Sequence, residues 1–166
     1  NHCIRDEEAI RDEEFVKTFC NKLNINLIVK RVDVLKLSKN LKLSVEEAGR
    51  IVRYQILQEE AMKNLNSKIA TAHTLSDNIE TFIMRFVNGT ALKGLCGIPP
   101  IRKNIIRPLI NVKRSEIETY CKENGLEYVT DSSNLEKDYT RNKIRLDIIP
   151  QLKGMNPNLE DTFERM

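Results

Sequence analysis

Ala70-Thr71-Ala72-His73-Thr74-Leu75-Ser76-Asp77-Asn78-Ile79-Glu80-Thr81 is a stretch in which a short apolar run stops at a polar turn and helical spacing begins. The switch predicts a parallel strand ending near Ala72 and a helix opening near Ser76. Open α/β sheets bind their ligands outside the carboxyl ends of their strands, so His73, Asp77 and Glu80 stand where such a sheet does its chemistry. The same side chains also suit a purely structural task, with Ser76 or Asp77 capping the helix and Glu80 facing the positive end of its dipole. Spacing alone leaves both readings open.

Outward from this stretch, helix and strand signals alternate. Ala9, Ile10, Phe15, Val16, Phe19 and Leu23 recur at helical spacing, which predicts an amphipathic helix over 6–24. The β-branched run from Asn26 to Val32 predicts a strand. Ser44-Val45-Glu46-Glu47 has the form of a capping box and opens a helix expected to run to about Asn66. Ser67 to Ala72 is the next strand. In the helix beyond Ser76, Ile79, Ile83 and Phe86 share one face, Asp77, Thr81 and Met84 lie on another, and Gly89 ends it. Gly94, Gly97, Pro99 and Pro100 make a loop, and Asn104 to Leu109 reads as a last strand. Ser115-Glu116-Ile117-Glu118 is a second capping box, for a helix stopping at Gly125. Asp131-Ser132-Ser133-Asn134 is turn chemistry, a final helix runs from about Asp138 toward Pro150, and Asn156-Pro157-Asn158 is a hinge. The alternation predicts an α/β fold, a parallel sheet flanked by helices. One domain is expected over 1–154, with 155–166 beginning a helical linker or a following domain.

A chain of 166 residues is one domain, or one domain and the start of another. With 40% hydrophobic and 31% charged residues it has an ordinary globular composition. The net charge of +3 is too small to argue for nucleic acid by itself. Its distribution is uneven: Asp6-Glu7-Glu8 and Asp12-Glu13-Glu14 are acidic, whereas Arg102-Lys103, Arg107, Lys113-Arg114, Arg141, Lys143 and Arg145 gather positive charge later. Solvated helix faces explain such runs, and so does a phosphate-contacting surface in the second half. Cys3, Cys20, Cys96 and Cys121 form no C-x-x-C pair, which speaks against structural zinc. No leader and no long apolar run is visible, so a cytoplasmic setting with reduced thiols is expected. Gly89-Thr90-Ala91-Leu92-Lys93-Gly94 is not a Walker loop, because Gly94-Leu95-Cys96 replaces the required Gly-Lys-Ser/Thr and a helix precedes it.

Five motifs in register give the chain a resemblance. The opening stretch, together with Asn88-Gly89-Thr90, Arg107-Pro108-Leu109, Asp131-Ser132-Ser133-Asn134 and Arg141-Asn142-Lys143-Ile144-Arg145, resembles the tRNA(Ile)-lysidine synthetases of the N-type PP-loop ATP pyrophosphatase superfamily. The likeness runs from Asn1 through Asn156-Pro157-Asn158-Leu159. It implies a PP-loop ATPase-type domain lacking its first strand and its Ser-Gly-Gly-x-Asp-Ser phosphate loop, and hence a stretch that does not turn over alone. It further implies an ATP-dependent ligase that uses magnesium, adenylates the wobble cytidine of isoleucine tRNA and joins lysine to it, with a homodimer admitted and no membrane partner.

The roles implied by the resemblance follow its motifs. Asp77 and His73 would be catalytic, with Asp77 also able to hold magnesium or take a proton from an attacking amine. Arg5, Arg50, Glu80 and Thr90 would bind ATP or substrate, Arg50 within a Glu-x-x-x-Arg-x-x-Arg-Tyr pattern whose guanidiniums suit phosphate or carboxylate. An ion pair between Glu46 and Arg50, four residues apart, is the ordinary alternative. Arg107, Arg141 and Arg145 would position tRNA, the last two lying one helical turn apart. The chain departs from the family at Thr74 and Ser76, where a histidine and an acidic or amide residue are usual, and at Asn88 and Ala91. A PP-loop tRNA thiolase, which normally needs cysteine pairs, and a non-catalytic nucleotide- or RNA-binding relative are the alternatives.

Overall fold

A computed structural model describes residues 1–4, 6–129 and 140–165, the side chains of Asp6 and Lys93 excepted. Arg5 and the Asp131-Ser132-Ser133-Asn134 turn lie outside the described residues, as does Asp138 at the expected start of the last helix. The chain divides into two compact units, Asn1–Ser67 and Lys68–Met166.

The first unit is helical. α1 spans Asp6–Lys22, α2 Val34–Leu41 and α3 Val45–Met62. The capping box at α3 forms as its sequence requires: the Glu47 amide donates to Ser44 Oγ at 3.2 Å, and the Ser44 amide donates to Glu47 Oε2 at 3.2 Å. The helix ends at Met62, a turn earlier than expected. α2 has no counterpart in the sequence reading, although Asp33 carries its signal by accepting from the Lys36 amide at 2.9 Å. Residues 26–32, expected as a strand, are extended but belong to no sheet among the described residues. They do exchange a parallel-strand pair of bonds with Asn1, which donates to the Lys30 carbonyl and accepts from the Val32 amide, both at 2.9 Å. Beside this contact Glu13 binds Arg31 through two bonds of 2.9 and 2.7 Å and also accepts from Asn1 Nδ2 at 2.9 Å. Val34 and Ala48 are fully buried, and Gly49 sits closely under His2, where a Cβ would come 3.1 Å from His2 Cε1 and push the imidazole aside. Burial, and then the charge of Arg53, lower the pKa of His2.

The second unit holds the sheet. β1 (Ile69–Ala70) is followed by α4 (Leu75–Val87), the one-turn α5 (Leu92–Leu95), β2 (Ile101–Arg102) and β3 (Ile105–Ile106). The order is β1-β3-β2, with β1 parallel to β3 and β2 antiparallel to it. The α/β class holds, and the sheet among the described residues is small and mixed. The β2–β3 hairpin escaped the sequence reading because its reversal rests on Lys103, a lysine at φ 57° where a glycine would have signalled the turn. α6 (Arg114–Glu123) begins before the expected box. Glu116 accepts from the Lys113 amide at 2.8 Å, so Ser115 lies inside the helix and does not cap it. Gly125 ends this segment at φ +60°, as Gly89 does after α4 at φ +70°.

The last helical run comprises α7 (Thr140–Lys143), a π-helical turn (Ile144–Ile148) and α8 (Ile149–Met155). It does not stop at Pro150. The proline falls in the first turn of α8, where its missing N–H costs nothing, after a wider turn in which the Ile149 amide donates to the Ile144 carbonyl. α9 (Leu159–Glu164) follows the Asn156-Pro157-Asn158 break and packs on α4, with Phe163 edge-on to Phe82 at 4.8 Å. Lys113 pairs with Asp161. Leu75, Ile79, Ile83 and Ile144 form the core of this unit. Phe86, expected on the core face, is 66% exposed, because Leu75 takes the third buried position of the stripe one turn earlier. Among the described residues no helix is long and apolar enough to cross a membrane, and the four cysteines are unpaired.

The Glu13 cluster carries a pH dependence. Its hydrogen bonds to Arg31, Lys17 and Asn1 hold the Glu13 carboxyl far below the usual carboxylate range. The folded state keeps this group ionised while the unfolded chain protonates near its ordinary value of about 4.3. The stabilisation is therefore complete above that value and declines as pH falls through it. Thermal unfolding of the first unit measured by circular dichroism should show a falling Tm below about pH 5, and Glu13→Gln should flatten that fall.

Candidate functional site at the carboxyl rim of the sheet

β1 and β3 run in the same direction, so their carboxyl ends lie side by side, and the Thr71 amide donates to the Ile106 carbonyl at 3.0 Å. β1 thus delivers Thr71 to Thr74 to one rim, and the amino end of α4 is tied to that rim by the Leu75 amide, which donates to the Val112 carbonyl at 3.1 Å. β2 is antiparallel and its Ile101 stands opposite Ile106, so the segment entering β2 also arrives at this rim. His73 and Asp77 stand at this rim, and Glu80 lies one turn further along α4.

Asp77 takes part in capping the helix, as the structural reading allowed, from the third helical position and as the reciprocal half of a capping box. Thr74 holds the cap position, and both its amide and its hydroxyl donate to Asp77 Oδ2, at 2.8 and 2.9 Å. Thr74, a departure from the resembled motif, therefore has a defined task in fixing the carboxylate. Oδ1 of Asp77 has no bond among the described residues, and the side chain is half-buried. An open carboxylate oxygen at a helix amino end suits a hard cation or the proton of an amine. His73 is held from β1 by a 2.9 Å hydrogen bond between its Nδ1 and the Thr71 hydroxyl.

Glu80 is placed differently from the sequence expectation of an ATP- or substrate-binding residue: it is 0% exposed. Arg145 Nε donates to its Oε1 at 2.6 Å and Arg145 Nη2 to its Oε2 at 3.1 Å. Arg141 Nε lies 3.0 Å from Oε2 in a charge contact whose angle is not that of a hydrogen bond, while Arg141 Nη2 donates to the Thr81 hydroxyl at 3.1 Å. The spacing of the two arginines does bring them together, on a buried carboxylate. The hydrogen bonds Arg145 donates to Glu80, and then the fields of Glu80 and Asp77, raise the pKa of Arg145. Asp77 thus works within the field of a permanently protonated guanidinium.

Arg107 is 6% exposed, and its Nη1 donates to the Pro99 carbonyl at 2.6 Å. Its expected reach to a tRNA phosphate gives way to a place inside the rim. Thr90 is exposed at the far end of α4, about 20 Å from Asp77 at 1.5 Å per helical residue. It is not brought to the carboxylate, and its side chain overlies Gly94, where a Cβ would lie 2.3 Å from Thr90 Oγ1. In the first unit Arg50 is exposed on α3 and stands 5.9 Å from the Tyr54 ring centre, with no ion pair to Glu46 among the described residues.

Two participants carried no sequence signal. Asn78 Oδ1 accepts from the Ile98 amide at 2.6 Å, and Arg85 Nη1 donates to the carbonyls of Gly94 and Gly97 at 2.8 and 2.7 Å. Their partners are backbone groups of a loop distant in sequence, which no side-chain pattern announces. Among the described residues no group of three or more His, Cys, Asp and Glu side chains gathers into a metal cage.

The chain belongs to the PP-loop domain family, whose model matches residues 1–152. Its similarity to individual proteins points further in one direction. It is 48% identical over 168 residues to the tRNA(Ile)-lysidine synthase of Clostridium acetobutylicum, covering 100% of this chain and 36% of that protein. The tRNA(Ile)-lysidine synthase of Clostridium perfringens is 45% identical with the same coverage, and that of Petrotoga mobilis is 45% identical over 166 residues, of which 53% of its length is covered. The chain spans between about a third and a half of these curated relatives. Nothing in the comparisons supports a pairing of two copies.

The buried triad has a measurable consequence. Removing one partner of a buried ion pair leaves uncompensated charge and costs about 3–5 kcal/mol. Because both arginines keep part of their side chains in solvent, Glu80→Ala should fall at the lower end, about 3 kcal/mol. A urea midpoint unchanged from wild type would contradict the arrangement.

Proposed function

We propose that this chain serves as the PP-loop part of a tRNA(Ile)-lysidine synthase, an ATP-dependent carbon–nitrogen ligase. The observation that carries the reading is identity of 43–48% to such synthases across the whole chain. In the first step the C2 oxygen of the wobble cytidine of isoleucine tRNA attacks the α-phosphorus of ATP, and pyrophosphate leaves. In the second, the lysine amine attacks C2, AMP leaves with the oxygen, and the amine proton is lost to a base. Adenylation turns a poor leaving group into a good one, and the protein supplies orientation and charge stabilisation.

In this reading Oδ1 of Asp77 accepts the amine proton or joins magnesium. The residue fits either task, since magnesium uses only one or two protein carboxylates together with phosphates and water. When bound, magnesium neutralises charge on the triphosphate. Thr74 holds the carboxylate in place, His73 lines the same rim, and the protonated Arg145 favours anionic groups there. Arg141 and Arg145 act first as the clamp on Glu80, and any contact to tRNA comes from the solvent-facing parts of these guanidiniums. Arg50 offers an open guanidinium for phosphate or carboxylate. Thr90 would then act at a distance from Asp77, and Arg5 keeps its proposed role in binding ATP or substrate.

Full-length protein given ATP, lysine and isoleucine tRNA should release AMP and pyrophosphate and form lysidine. Asp77→Asn keeps an oxygen for the Thr74 bonds but removes the base, so lysidine formation should fall by about 100-fold or more. The cost in stability should stay below about 1 kcal/mol. Lysidine formation at the wild-type rate in this variant, assayed by nucleoside analysis of the tRNA, would remove Asp77 from the mechanism.

A further inference from the structure

After Gly89 the chain reverses and runs back along α4. The Thr90 amide donates to the Arg85 carbonyl at 3.2 Å, Arg85 Nη1 then bridges the carbonyls of Gly94 and Gly97, and the Ile98 amide reaches Asn78 Oδ1. Asn78 and Arg85 stand seven residues apart, two helical turns, so one face of α4 presents both to this returning segment. Gly97 is indispensable to the contact, because its φ is +68° and a Cβ would lie 2.1 Å from Asn78 Oδ1. At the far end the Arg107 amide donates to the Pro100 carbonyl at 2.9 Å and its guanidinium to the Pro99 carbonyl. The segment 94–100 is thus fastened at three points by side chains of α4 and the residue after β3, and its last fastenings lie at the carboxyl rim of the sheet.

We infer that Asn78 and Arg85 are positioning residues that fix segment 94–100 as one wall of the ATP site at the carboxyl rim. Asn78 is the neighbour of Asp77 in the first turn of α4, so a single rigid helix end sets both the carboxylate and the wall. Loss of the Asn78 bond frees the Ile98 amide and lets the segment move away from the rim. ATP then meets a looser site, while Asp77 and its Thr74 tether are untouched. The inference rests on the ATP-dependent reading above.

The test uses full-length protein with magnesium-ATP. Asn78→Ala should weaken ATP binding in equilibrium dialysis about tenfold, and KM for ATP in lysidine formation should rise by the same factor with kcat within about twofold. Gly97→Ala attacks the same contact from the other side and should reproduce the rise. Both variants should remain folded, judged by thermal unfolding. Wild-type ATP affinity in folded Asn78→Ala and Gly97→Ala overturns the inference, as does a fall in kcat at unchanged KM, which marks mere loss of active protein. The two readings separate cleanly. Weakened ATP binding in the variants of a wild type that makes no lysidine upholds the wall and defeats the ligase, whereas lysidine-forming wild type with unaltered variants defeats the wall alone.

Discussion

A carboxylate with no exposed surface, Glu80, holds the second unit in register. Its two oxygens meet Arg145 by hydrogen bonds of 2.6 and 3.1 Å and Arg141 by a charge contact of 3.0 Å. Taking such a charge out of water costs several kcal/mol, and only close and well-oriented partners repay it. The triad therefore allows few relative positions of α4 and the run from α7 to α8. The core reinforces it: Ile79 and Ile83 flank Glu80 on α4, and Ile144 lies beside Arg145 on the opposing run. Arg145 lies in the π-helical turn, which leads directly into the first turn of α8, where the proline at position 150 is tolerated.

With α4 fixed, the rest of the site follows from strand direction. Parallel pairing of β1 and β3 puts His73, Thr74 and Asp77 at one rim, and the antiparallel β2 returns segment 94–100 to the same place. Thr74, a departure from the resembled motif, has a defined place: its amide and hydroxyl hold one oxygen of Asp77 and leave the other open. Arg107 makes the complementary point. A positively charged residue inside a basic stretch reads as a surface contact, yet its guanidinium is buried and bound to the Pro99 carbonyl.

Much of this was legible in the residues. The capping box at Ser44, the glycines at 89 and 125 and the apolar spacing of Ile79 and Ile83 each act through local geometry, and each is present where the sequence places it. Where the reading failed, a competing contact that the spacing did not rank was the one formed. The extended run at 26–32 lacks a sheet among the described residues, α6 starts at Arg114 because Glu116 finds the Lys113 amide, and Phe86 faces solvent because Leu75 fills the core.

The sequence by itself determined the α/β class, the switch from strand to helix at Ala72 to Ser76, the family and the identity of the ionisable groups at that switch. These depend on periodicity, capping chemistry and residue type, all of which act over a few neighbours. Only the tertiary structure decided which of those groups stays available. Glu80 and Asp77 are three residues apart on one helix, but the arginines that bury the first come from 61 and 65 positions away. The loop groups that meet Asn78 and Arg85 are backbone atoms. A carboxylate's neighbours in space set its solvation and its charge partners, and chain order does not encode them.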